Sequence, residues 1–129
     1  MGQVKIFGLK KELNKNKVKI SEVIHSCIVD GLKFPVNKKF QRFFLLDEAD
    51  FYFPDDRTEK YTIIELSIFE GRSVDTKKEF IRLIYKRFQE QLNISGNDIE
   101  LTIFETPKNN WGIRGLPADE LLLNYRVNL

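Results

Sequence analysis

A strand-like run, a turn and a long amphipathic helix occur twice in this chain, at residues 4–32 and again at 61–92. Neither half can bury its apolar side alone, so the two must close around a shared core. The second copy is the clearer. Residues 61–69 (YTIIELSIF) are nearly continuous in β-branched and aromatic side chains, which predicts a central strand. Gly71 lies in the turn that follows, Ser73 is a good helix cap, and Asp75 suits the positive end of the helix dipole. Phe80, Ile81, Ile84, Phe88 and Leu92 then recur at three- and four-residue spacing, the stripe of a helix packed on one side.

The first copy reads as a strand over residues 4–7, ended by Gly8, and a helix capped by Asn14 or Asn16. Ile20, Val23, Ile24, Cys27, Ile28 and Gly31 form its apolar stripe, and Phe34-Pro35 stops it, because the residue before proline is pushed out of the helical region. A strand follows each helix, at residues 40–46 (FQRFFLL) and 99–104 (IELTIF). Residues 51–53 read as a hairpin arm, 106–118 as a loop, and 121–127 as a last short strand. The order is thus β-α-β twice. Right-handed crossovers turn that order into an α+β fold: a four-stranded mixed sheet, two helices on one face, and short hairpin strands. All of residues 1–129 are expected to form one domain. Two helices cover one face of a sheet whose strands carry apolar groups in both directions, so an oligomer is expected.

Composition narrows the classes. With 42% hydrophobic and 31% charged residues the chain is globular in type. Its net charge of +2 comes from closely interspersed signs. The lysines at 10, 11, 15, 17 and 19 read as the wet face of the first helix, so neither nucleic acid nor membrane is an expected partner. One cysteine allows no internal disulfide, and no apolar run approaches the roughly 20 residues that span a bilayer. The opening MGQVKIFG has no charged-then-apolar leader, and a cytoplasmic protein is expected.

Familiar catalytic devices are missing: no CxxC pair, no metal-ligand spacing, no GxSxG and no phosphate-cradling glycine loop. Neither a metal nor a cofactor is expected. His25 reads as a half-buried structural residue and Cys27 as a core thiol. Arg72, at the end of the third strand, reads equally as a carboxylate clamp or as a surface arginine paired with Glu70 or Asp75. Arg42 sits inside an apolar strand and needs a partner if buried. Trp111 either walls a substrate pocket or packs its loop onto a neighbouring subunit, and Arg114 follows it in the same loop.

The EGRSVDTKK turn into a helix, the strand beginning near residue 2, and the late NW followed by glycine together resemble the tautomerase superfamily. Within it, the branch related to malonate semialdehyde decarboxylase is the most similar. The resemblance covers nearly the whole chain and implies a tautomerase-like β-α-β repeat that assembles as a homotrimer. It also implies catalysis by an amino-terminal residue, exposed when the initiator methionine is removed. Where the family has proline this chain has Gly2. An α-amine has a pKa near ~8, and burial beside cations lowers it further, so it can serve as a base near neutrality.

On this resemblance Gly2 and Arg72 are the expected catalytic residues, and Arg42, Trp111 and Arg114 the expected substrate-binding ones. The stretch Pro35-Val36-Asn37-Lys38-Lys39 lacks the acidic residue that the decarboxylase branch uses to activate water, and Glu70 replaces the first of its paired arginines. Those departures argue against decarboxylation and hydration. The expectation is a keto–enol isomerase of a small 2-oxo or enol carboxylic acid. The alternatives are a non-catalytic trimeric member that binds a small ligand or acts as a scaffold, and a ferredoxin-like interaction domain that binds through its sheet.

Overall fold

The computed structural model describes residues 2–121. The strand foreseen at 121–127 therefore lies, but for its first residue, outside the described residues. Four strands form the main sheet: β1 (Gln3–Leu9), β2 (Gln41–Leu46), β3 (Thr62–Phe69) and β4 (Ile99–Thr106). Two helices, α1 (Lys10–Leu32) and α2 (Val74–Leu92), connect β1 to β2 and β3 to β4. The sheet order is β2-β1-β3-β4. Each β-α-β unit holds a parallel pair, and the two units join antiparallel through β1 and β3, with Ile6 opposite Ile64. The duplicated pattern thus becomes two like halves meeting at the centre of one sheet, with β3 internal as its composition predicts.

One face of the sheet carries the core. Val4 and Ile6 of β1, Ile64, Leu66 and Ile68 of β3, and Ile99 of β4 pack against Ile20, Ile24 and Ile28 of α1 and Phe80, Ile84 and Phe88 of α2. Full burial of a side chain such as Phe88 contributes about 2–3 kcal/mol. Gly31 lies where the helices meet: a Cβ there would come 3.3 Å from Phe80 Cδ1. Cys27 is fully buried in this layer, and His25 Nε2 bonds to Val36 O at 2.7 Å, tying α1 to the segment that follows it.

The opposite face is open and mixed. Phe7 stacks on Phe44 at 4.7 Å, and Phe104 is 47% exposed, while Lys5 sits in register between Arg42 and Glu65. Its alternation of rings and charges makes it less apolar than the strand sequences suggest.

Local signals explain most boundaries. Ser73 caps α2 by accepting from the Thr76 amide at 3.1 Å, as expected. The start of α1 differs: it begins at Lys10, with no side-chain cap, rather than at Asn14 or Asn16. Leu13 is the reason, since this residue ahead of the expected cap is buried in the core and anchors an extra turn. Residues 51–53 form no strand; Phe51 and Phe53 instead gather on the Tyr61 ring, 5.7 and 5.2 Å away. The loop after β4 holds a small hairpin, β5 (Gly112–Ile113) and β6 (Leu116–Pro117).

Candidate functional site

Two segments converge where β1 begins: the run leading into β2 and the β5–β6 hairpin. Between them lies a cavity of about 320 Å³ lined by Gln3, Lys38, Phe40, Trp111, Gly112, Ile113 and Arg114. That volume is at the lower end of the ~300–1,000 Å³ typical of small-molecule sites. Parallel pairing of β1 with β2 brings Lys38 and Phe40 to Gln3, and the Val4 amide donates to Phe40 O at 3.0 Å.

Trp111 is held from behind. Its indole meets the Phe69 ring edge-on at 4.9 Å, and Phe69 and Ala118 form a small buried cluster under it. The Ala118 amide donates to Trp111 O at 2.8 Å, which closes the base of the hairpin. The tryptophan thus lines the cavity while its ring packs on Phe69 within the same chain.

Arg114 is aimed by an unusual backbone. Ile113 pairs with Leu116, leaving Arg114 and Gly115 as a two-residue turn with φ of 54° and 84°. Both central positions of such a turn need positive φ, and asparagine or glycine normally takes the first. An arginine there costs about 1–2 kcal/mol.

Arg72 and Arg42 do not line this cavity. Arg72 is buried, 5% exposed, with its Nη2 donating to Leu32 O at 3.1 Å and its guanidinium 4.8 Å over the Phe34 ring. It is thus neither a surface arginine nor paired with Glu70 or Asp75. It closes the carbonyl end of α1, where a cation is favoured. Its Nε and Nη1 have no hydrogen-bond partner among the described residues, and burial lowers its pKa to about 10 against a small opposing pull from Glu105. Arg42 is exposed on the open sheet face beside Lys5.

Gly2 is buried, and its Cα faces Phe34 and Ile68 on the helix side. Phe34 therefore neighbours both the second residue and Arg72. Gly2 adjoins the cavity through Gln3, its neighbour in the chain. Nothing in the spacing of Gln3, Lys38 or Phe40 marks them as site residues; strand pairing brings them together.

Another cavity, of about 350 Å³, opens at the far end of β1 and β2 between Leu9, Lys10, Lys11, Glu12, Asp47 and Glu48. It contains none of the expected site residues. Among the described residues no group of histidine, cysteine or carboxylate side chains is placed to hold a metal, and no helix is long and apolar enough to cross a membrane.

The fold is a β-α-β repeat with a cavity at the start of β1. The chain belongs to the Tautomerase_2 family, described as tautomerase enzyme, whose pattern matches residues 38–114. That stretch takes in Arg42, Arg72, Trp111 and Arg114. A 2-hydroxymuconate tautomerase of Comamonas testosteroni is 33% identical over 57 residues, 44% of this chain and 90% of the relative. The fold matches malonate semialdehyde decarboxylase at a TM-score of 0.80 and 18% identity, covering 93% of this chain and 99% of that one. Native fused 4-OT matches at 0.82 and 16%, covering 92% and 98%.

Proposed function

We propose that this chain is a keto–enol isomerase of a small planar 2-oxo or enol carboxylic acid. The observation that carries the reading is the convergence of Trp111 and Arg114 with Gln3, the residue after Gly2, around one cavity of small-molecule size. With the initiator methionine removed, the Gly2 amine is the base. It takes the enol O–H proton and the electron pair left on oxygen closes the carbonyl; the C=C pair then takes that same proton from the ammonium at carbon, which regenerates the neutral amine. Proton transfer by such a group accelerates a reaction about 10²–10⁴-fold. Arg114 steadies the carboxylate and the charge that builds on the enolate, and Trp111 holds the plane of the conjugated acid.

The same reading includes a homotrimer. Relatives solved as fused 4-OT trimers share the fold, and the open sheet face, with Phe44 and Phe104 exposed, gives such an assembly its contact surface. Arg42, on that face, is the expected site residue whose role depends on the assembly.

A second reading is favoured by the packing at Gly2. Phe34 crowds the space beside it, where a Cβ would come 2.7 Å from the ring, and Arg72 is committed to α1. A trimeric binder without turnover accounts for both. Ketonisation of 2-hydroxymuconate, followed in the ultraviolet, separates the two: a rate above buffer supports the isomerase, and binding without any such rate supports the binder. Sedimentation equilibrium tests the trimer, and a monomer contradicts it.

A further inference from the structure

We infer that Lys38 and Arg114, not Arg72, jointly grip the carboxylate of the ligand, and that the strained turn at Arg114 is maintained for that purpose. This rests on the cavity being the ligand site. Both side chains line it from opposite segments, Lys38 ahead of β2 and Arg114 on the β5–β6 turn. Among the described residues no carboxylate pairs with either of them. Two cations without acidic partners, facing one apolar-walled cavity, suit an anion.

The backbone supplies an independent reason. Arg114 takes φ of 54° beside Gly115 at 84°, where asparagine or glycine relaxes the turn at no steric expense. A Cβ at neighbouring Gly112 would meet nothing within 4 Å, so crowding does not dictate the sequence of this hairpin. Strain kept at a position that aims a charge into a cavity marks a functional site. Arg72 is unsuited to the task, being spent on Leu32 O and the Phe34 ring. The ligand end that fits this pair is a carboxylate on a flat, conjugated chain, lying between Trp111 and Phe40.

Sorbate, a planar diene carboxylate with no enol to turn over, is the probe. Calorimetric titration of the full chain should show binding, weakened about tenfold in Lys38→Met and in Arg114→Asn, with Arg114→Lys recovering part of the loss. Arg114→Asn should also melt about 3 °C higher, because it relaxes the turn. A variant that is more stable yet binds less cannot be explained by misfolding. Wild-type affinity retained in both charge-removing variants overturns the inference, as does a wild type that does not bind sorbate. Binding that depends on both cations but comes with no ketonisation leaves the grip standing and removes only the isomerase reading.

Discussion

Gly2 lies so close to Phe34 that a Cβ on it would come 2.7 Å from Phe34 Cε2 and 3.1 Å from Cζ. Glycine at the second position is therefore matched to a phenylalanine from the far end of α1. The ring cannot swing away freely, because Arg72 lies over it at 4.8 Å.

Gly2→Ala should destabilise the protein by about 1–3 kcal/mol through overpacking. Phe34→Ala removes a buried ring and should cost about 3–4 kcal/mol alone. Combined, they should cost at least 1 kcal/mol less than their sum, because the alanine methyl then has room. Urea titration of the four proteins measures the cycle, and strict additivity would deny the contact.

Arg72 should behave as a structural residue. Arg72→Ala leaves Leu32 O and the Phe34 ring without their partner and should cost about 2–4 kcal/mol. Arg72→Met also loses the bond to Leu32 O but keeps the stem packed and removes two unsatisfied buried donors, so it should cost less than Arg72→Ala. Full stability in Arg72→Ala, with ligand binding lost, would return this residue to the site.

Asp98 is 4% exposed and accepts from Thr58 N at 2.8 Å and Thr58 Oγ1 at 2.6 Å. It pins the loop before β3 to the start of β4. Asp98→Ala should cost about 1–3 kcal/mol by removing two hydrogen bonds to a charged acceptor, seen as a lower melting temperature, whereas Thr58→Ala, which keeps the amide bond, should cost less.

Cys27 should be inert. Burial is the chief reason its pKa is raised, with Arg87 pulling the other way. The unfolded thiol then loses its proton at a lower pH than the folded one. Stability from this group is accordingly flat below the ordinary thiol pKa and falls as pH rises above it. Thiol reagents at pH 8 should label the native protein only at its unfolding rate; immediate labelling would contradict the buried placement.

The strands and both helices were legible because their periodicities are long and their turn residues strong, as at Ser73. The start of α1 was not, since Asn14 and Asn16 look like caps while the actual signal is Leu13 against Gly8, where a Cβ would sit 3.0 Å from Leu13 Cγ. Lys33, at φ 62°, ends that helix where glycine is usual. In the site, Trp111 and Arg114 stand in one loop and could be read together. Arg72 could not, because its partner Leu32 O is forty residues away in sequence and its burial depends on how α1 ends. Gln3 and Lys38 meet only through the β1–β2 pairing.

The proposed isomerisation depends most on the Gly2 amine. The direct measurement is ketonisation of 2-hydroxymuconate by protein whose intact mass shows the methionine removed, before and after acetylation of the α-amine. A rate above buffer that falls about 100-fold or more on acetylation is the expected result. A free Gly2 amine with no rate above buffer, or a rate that acetylation leaves unchanged, would contradict it.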